Sequence, residues 1–540
     1  MGQDITARDR FVRLFVLCVA ALAALTMVLL PLDILIRHLK DDSFYYFQTA
    51  RNIALGYGST FDRINLTNGY HPLWMLNLLP VYTLFANSPL VALRVALLVA
   101  ALYHTLTTLL IYQHVTRLHS PAIGAIASLA WALSPVVLRI TLNGMESGVY
   151  ALTLAGLVVA ITGRLKRTDG GWQLPPARSL WGVGLVAMLC VLARLDAVLV
   201  LTGLGLCLLA YGIHHRQRPL IGVLAVLAIP AIATLVVYMA FNQWQFGVVL
   251  PISGLIKRAT LPPSLEGMIG QWLWPLGPIT RRVGVWPTSG ALVLAVAVVG
   301  ICATVFLPVR ILLMHIFRRY DWLWLGSALL YTYLAFSATY IANWYYVPML
   351  LLATLVAADL LALALAALPS LRLRRAALGV LSAGLLIGYG VLATSEFHPR
   401  KNDTIAETLR AAFWVRDTLP ADAVGASWSA GVLAYFSERP IVNLDGLINS
   451  REYYQAMREN RAAQFAVGQG VDFVFDMFPV PESGDTTNFT PDTQWTPFLQ
   501  PYAEWRYSAR NVGISSMFKT IFPSAEQDAQ FMWKVWRVVL

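Results

Sequence analysis

72-PLWMLNLLPVYTLFA-86 is the stretch on which the fold turns. If it crosses a membrane, the later basic clusters His114/Arg117/His119, Arg164/Lys166/Arg167 and Arg216/Arg218 alternate badly between the two sides. If it lies along the outer surface, every one of them becomes cytoplasmic, as the preference of short inner loops for Lys and Arg requires. The segment is short for a hydrocarbon core of roughly 30 Å, is interrupted by Asn77 and is broken by Pro80, so it reads as an interfacial helix.

The rest of the topology follows outward from that choice. Arg8, Arg10 and Arg13 hold the N-terminus in the cytoplasm, and a first helix over 11–31 carries the chain out. No small-residue cleavage site follows this helix, so it reads as permanent. Helices over 89–113, 121–139 and 148–163 come next, then a pair bent at Arg194-Leu195-Asp196, then 219–240, 288–308, 322–340, 347–369 and 376–394. The expectation is a mainly α polytopic membrane protein of about 11 transmembrane helices, each near the length a bilayer needs.

Composition agrees. The chain has 540 residues, of which 57% are hydrophobic and only 13% charged, and its mean hydropathy is +0.61. That excludes an ordinary soluble protein. The net charge of +11 sits in short clusters at helix ends rather than along one face, which argues for inner-side anchoring and against nucleic acid. Cys18, Cys190, Cys207 and Cys302 all fall in apolar segments, away from any disulfide or thiolate metal pattern.

Beyond Glu396 the composition becomes that of a soluble domain. An amphipathic helix over 404–418 leads to strand 423–428, helix 430–436, strand 441–444, a helix near 450–465 and strand 471–475. Alternating strands and helices predict a small α/β domain with a partly parallel sheet. The domains expected are therefore a membrane module over 1–394, with its first outer loop at 33–88, and an extracytoplasmic α/β domain over 395–540.

The polar residues of such a chain gather at its outer face: Asp41, Asp42, His71, Arg94, Arg139, Glu146, Arg194, Asp196, Lys257 and Arg258. Ionisable groups near membrane depth are costly and mark functional sites, although single basic residues also snorkel to headgroups. Asp41 and Asp42 precede a helix that begins near Ser43. They read either as an N-cap or as a base, and the two are compatible because a helix N-terminus favours an ionised carboxylate. Two acids also suit a divalent cation, but adjacent side chains point apart. His71, before Pro72, is a turn residue, a phosphate donor or an acceptor-site ligand. Lys257 and Arg258 are phosphate partners or a solvated loop, and Trp344, Tyr345 and Tyr346 an aromatic belt or a sugar platform. Asp445 in Asn443-Leu444-Asp445-Gly446 reads as a strand-end turn residue, with a substrate contact as the second reading.

Asp41-Asp42 opening the first outer loop, Tyr45, Tyr46, Arg51 and Asn52 on the helix after it, His71-Pro72-Leu73-Trp74 and Gly144-Met145-Glu146 together resemble the GT-C glycosyltransferases. These polytopic enzymes take sugars from polyprenyl-phosphate carriers. The arabinofuranosyltransferase-like bacterial members are the most similar. The resemblance implies an inverting transfer to an acceptor hydroxyl at the outer face of a bacterial inner membrane. By match to the family motif Asp41 would be the base and Asp42 would orient it or the acceptor; from their place in the topology, not from the motif, Arg94, Arg194, Lys257 and Arg258 would stabilise the departing phosphate. His71, Glu146 and Tyr345 complete the expected substrate contacts. The expected partners are the lipid-linked donor, a glycan, lipid or protein acceptor, and membrane lipids, with the chain a monomer. The adjacent acids stand where relatives have Asp-Glu or Asp-x-Asp, which leaves a divalent cation open. A transporter or flippase for a lipid-linked glycan is the alternative, for which mid-membrane ionisable groups are expected, and Asp359 is the clear acid deep in a later helix. An outer scaffold that binds glycan without chemistry would have no use for the paired acids.

Overall fold

The computed structural model describes residues 2–168, 171–173, 175–215, 220–257, 318–337, 342–397, 403–479, 495–510 and 528–539. In chain order the main helices are α1 (Gly2–Val28), α2 (Asp41–Ala54), α3 (Pro72–Phe85), α4 (Pro89–Leu118), α5 (Pro121–Leu133), α6 (Pro135–Thr141), α7 (Ser147–Arg164), α8 (Trp181–Ala193), α9 (Ala197–His214), α10 (Leu220–Phe246), α11 (Asp321–Ser337), α12 (Val347–Ala367), α13 (Leu371–Glu396) and α14 (Asp403–Thr418). Among the described residues seven helices are long and apolar enough to cross a membrane, or eight if the bent pair α5 and α6 is one span. The shorter helices α8 and α11 stand where spans were expected, and the expected helix over 288–308 lies outside the described residues. The chain is an integral membrane protein.

The expected straight helix over 121–139 is instead bent by 62°. Pro135 is the cause: it supplies no amide to continue α5, and it drives Ser134 out of helical conformation to ψ 118°. Ser134 then caps α6 by accepting from the Val137 amide. Pro80 has a milder effect, because α3 runs through it as one helix with Trp74, Met75, Leu78, Val81 and Tyr82 buried and Leu76 and Leu84 exposed. That one-sided burial suits a helix lying along a surface.

The C-terminal part is built on a five-stranded sheet of β1 (Gly425–Ser427), β2 (Ile441–Asn443), β3 (Phe473–Pro479), β4 (Leu499–Arg510) and β5 (Asp528–Val538), in the order β2-β1-β3-β5-β4. β1 is parallel to β2 and β3, while β5 is antiparallel to β3 and β4, so the sheet is partly parallel as expected. The sequence reading stops at Phe475 and does not anticipate β4 and β5. The helix expected near 450–465 is two, α16 (Arg451–Arg458) and α17 (Ala462–Gly468), parted where Asn460 takes a left-handed φ of 53°. Between β1 and β2 runs α15 (Ala430–Ser437).

Strand alternation divides this sheet between two cores. Ala426, Val442, Val474 and Trp536 point to a small core with Tyr453, Ala463 and Ala466. Phe473, Phe475, Trp533 and Val535 point the other way, into a core that runs through α14 and α15 to α2, α3 and the membrane helices. The sheet thus begins beyond the expected boundary at 395, yet one of its faces belongs to the core of the membrane part. Phe44 packs edge-on against Tyr435, the Tyr82 and Tyr435 hydroxyls are 2.9 Å apart, and Tyr435 donates to Pro89 O at 2.6 Å. At Gly69 the chains come so close that a Cβ would stand 2.2 Å from Leu447 O.

Candidate active site

Helix α2 presents Asp41 and Asp42 at its first turn, where its dipole favours negative charge. The two carboxylates turn apart. Asp41 accepts from the Gly431 amide at 3.0 Å and the Val432 amide at 2.8 Å, two of the free N–H groups in the first turn of α15. Burial, opposed by those two hydrogen bonds and helped by the neighbouring Asp42, pushes the Asp41 carboxyl up to about 6. Asp42 faces Lys257 instead, its Oδ2 lying 3.7 Å from Nζ, and both side chains stay partly exposed. Burial alone would lower the Lys257 ammonium, but the Tyr345 oxygen, Asp42 and Glu146 outweigh it and hold it above its ordinary value. Among the described residues no group of three His, Cys, Asp or Glu side chains is arranged to hold a metal ion.

Next on the same helix, Tyr45 donates to Asp445 Oδ2 at 2.7 Å, and Tyr46 donates to Glu146 Oε2 at 2.8 Å. Glu146 stands where Gly144, at a φ of 83°, lets the turn after α6 approach α2 closely; a Cβ there would meet Ser43 at 2.8 Å. Trp74 fixes the same turn from α3, its indole N–H donating to Gly144 O at 3.0 Å. The Arg194 guanidinium bonds both oxygens of Asp196, at 3.0 and 2.7 Å, and Glu146 Oε1, while its plane lies 4.2 Å from the Tyr345 ring centre.

Burial would raise the Glu146 carboxyl, yet Arg194 and then His71 bring it below its ordinary value. Asp196 is likewise lowered by Arg194 against the effect of burial, and Arg194 itself ends well above its ordinary range through Asp196 and Glu146. His71 lies 3.9 Å from Glu146 and accepts the Leu195 amide at Nδ1 at 3.5 Å, which leaves its proton on Nε2. Burial keeps it below the ordinary imidazole value, so at neutral pH it is an uncharged donor.

The expected residues therefore divide. Asp41, Asp42, His71, Glu146, Arg194, Lys257 and Tyr345 come together around the mouth of the helix bundle. Arg94 does not: its guanidinium bonds Val28 O and Leu30 O, closing the C-terminal end of α1. Arg194, only 2% exposed and with its bonds spent on two carboxylates, holds those carboxylates rather than awaiting a phosphate. Arg258 lies outside the described residues. Asp445, its partner Tyr45 and the Asn443 that bonds Tyr45 join the site, where a strand-end turn residue is the first expectation. The signal was available in the place of Asp445 just past the carboxyl end of a parallel strand, where open α/β sheets collect ligands. Burial, with Asp42 and Asp41 nearby, pushes its carboxyl up to about 7 despite bonds from Leu447 N and Tyr45.

Residues 400–528 match a family described as "Domain of unknown function (DUF8728)". No curated protein matches the chain. Among solved structures, ArnT from Cupriavidus metallidurans bound to undecaprenyl phosphate is similar over 96% of this chain and 97% of its own, with a TM-score of 0.50 and 12% identity. The Archaeoglobus fulgidus oligosaccharyltransferase in the apo form is similar over 86% of this chain and 69% of its own, with a TM-score of 0.48 and 13% identity. At such identity the likeness is one of fold alone: this chain shares its overall fold with ArnT.

Proposed function

We propose that this protein moves a sugar from a polyprenyl-phosphate carrier to an acceptor hydroxyl, with inversion, at the outer face of the membrane. The observation that carries the reading is the pair of adjacent carboxylates at the mouth of a GT-C bundle, one held by backbone amides and the other beside Lys257. The solved structure of similar fold holds undecaprenyl phosphate, which supports a lipid-linked donor.

In this reading Asp41 is the base. Two amides fix its orientation while its carboxyl is raised to about 6, which makes it a stronger proton acceptor than an ordinary aspartate and leaves it ionised at neutral pH. It takes the proton of the acceptor hydroxyl as that oxygen bonds to the anomeric carbon. The bond from that carbon to the phosphate oxygen breaks on the opposite face, and its electron pair leaves with the lipid phosphate. Lys257 meets the growing negative charge, and the uncharged His71 donates from Nε2. Asp42 keeps Lys257 in place until the phosphate replaces it as partner. The arrangement needs the N-terminus in the cytoplasm and the sheet outside.

The test is purified protein in liposomes with a panel of polyprenyl-phosphoryl sugars, read by release of free lipid phosphate. Wild type should release it from at least one donor. Asp41→Asn should lower kcat by about 10²-fold or more, the usual worth of a positioned base, while still folding. The acidic limb of the wild-type kcat profile should fall near pH 6, because activity needs the ionised form and is lost as pH drops through the raised value. Near-normal kcat in Asp41→Asn would remove Asp41 as the base.

A further inference from the structure

The outer side of the site holds one carboxylate more than the transfer needs. Asp445 comes from the turn after β2 in the C-terminal sheet, and Gly446, at a φ of 80°, makes that turn possible. Its Oδ1 accepts the Leu447 amide at 2.8 Å and its Oδ2 the Tyr45 hydroxyl at 2.7 Å, which leaves lone pairs on both oxygens. Tyr45 is itself fixed, accepting from Asn443 Nδ2 at 3.2 Å and packing edge-on against Phe61. Leu444 and Gly446 on either side are buried, while Asp445 stays partly exposed. A side chain placed by two partners and still open at its edge is built to meet something.

Charge says what that is. Among the described residues no cation pairs with Asp445, whereas Asp42 has Lys257. With Asp41 and Asp42 close by, this side of the site repels phosphate and carboxylate and accepts hydrogen bonds from hydroxyls. The lipid phosphate belongs with Lys257 and His71, and Asp445 comes from the part of the chain outside the bundle. We propose that Asp445 is an acceptor-binding residue: aimed by Tyr45 and Asn443, its carboxylate takes the hydroxyls of a neutral, polyhydroxylated acceptor lying between the first outer loop and the C-terminal sheet. The inference rests on the glycosyl-transfer reading and names its acceptor class.

The experiment uses the full-length protein in liposomes, a donor that releases lipid phosphate, and two probe acceptors, methyl β-glucoside and its uronic acid counterpart. Wild type should prefer the neutral glycoside. Asp445→Asn should raise the KM for that glycoside about 10-fold or more, the worth of a hydrogen bond to a charged group, and narrow the preference over the uronate, with the donor KM unmoved. Tyr45→Phe, which keeps the ring and removes the hydroxyl that donates to Asp445 and accepts from Asn443, should shift acceptor KM in the same direction by less, and it carries the test if Asp445→Asn does not fold. The groups facing Asp445 are Asp41, Asp42 and Tyr45 from α2 and Tyr453 from α16. Since its carboxyl is raised to about 7, acceptor KM should fall as pH rises through that value in wild type and stay flat in Asp445→Asn. Unchanged acceptor KM in both variants, a parallel rise in donor KM, or a donor-cleaving wild type that uses neither glycoside would each overturn the inference alone. A wild type that cleaves no donor would overturn the transfer reading and this inference together.

Discussion

Arg194 shows how single residues divide the work at this site. Its guanidinium forks onto both oxygens of Asp196 and reaches Glu146 from the same plane, with Tyr345 against one face. Only a planar group with several fixed donors does this, and a lysine ammonium of the same charge does not. Arg194→Lys should therefore leave one buried carboxylate short of its partner and cost roughly 3 kcal/mol, the low end for breaking a buried pair. The measurement is thermal unfolding in detergent. The pH dependence supplies the sign. Glu146 is held below its ordinary 4.5, so its contribution is present above that value and lost as pH falls through the lower folded one. Without the guanidinium its carboxyl rises towards or above its ordinary value, so the part of the acid destabilisation that Glu146 supplies should shrink in the variant. An Arg194→Lys protein with wild-type melting temperature and acid profile would contradict this account.

At the scale of elements, what the sequence made legible was local. Pro80, Asn77 and the short apolar run of 72–86 are neighbours, and the helix expected there is present as one short element, Pro72–Phe85. The acids at the start of α2 and the Gly-Met-Glu turn after α6 are equally local, and both reach the site. Pro135 was visible, but its 62° bend depends on Ser134 changing conformation and capping a new helix. Arg94 carries the charge expected of a phosphate partner, yet nothing in its sequence says that the carbonyls at the end of α1 would claim it first. The bond from Tyr45 to Asp445 spans 400 positions, beyond any pattern of spacing. The contact between α2 and α15 is of this long-range kind, and it admits a sharp test. A Cβ at Gly431 would stand 2.2 Å from Asp41 O and 2.9 Å from its Oδ1, and the backbone oxygen has no flexible side chain to swing aside. Gly431→Ala should push α15 off α2, lengthen the two amide bonds to Asp41 and lower kcat about 10-fold or more, as misplacement of a reacting group by an ångström does. Hydrogen exchange at residues 430–437 should rise with it. Wild-type kcat in this variant would mean that Asp41 does not depend on the C-terminal sheet domain for its aim.

Among the described residues two buried clusters of ion-paired groups stand out, and the difference between them offers a test of enzyme against carrier. One is the site at the start of α12, under Tyr345. The other lies 14 positions further along, at Asp359, about 20 Å down the helix axis. There Asp359, 2% exposed, meets His119 at 2.7 Å and Arg319 at 2.6 Å, and so ties the end of α4 and the start of α11 to α12. A transporter of lipid-linked glycans would need such a mid-helix acid to change partners as it works, whereas a transferase needs it only to hold three helices together. Asp359→Asn removes the charge and keeps the shape. It should lower stability by roughly 3 kcal/mol, since Arg319 and His119 are left beside a neutral group. At a temperature where the variant remains folded, release of lipid phosphate should stay within about twofold of wild type, because separated sites act nearly independently. Both quantities come from one preparation, through thermal unfolding and the donor assay. A variant with unaltered melting that no longer moves lipid-linked sugar across a vesicle membrane would give Asp359 the working role and favour the carrier. Lost stability with retained transfer is the outcome expected of the proposed transferase.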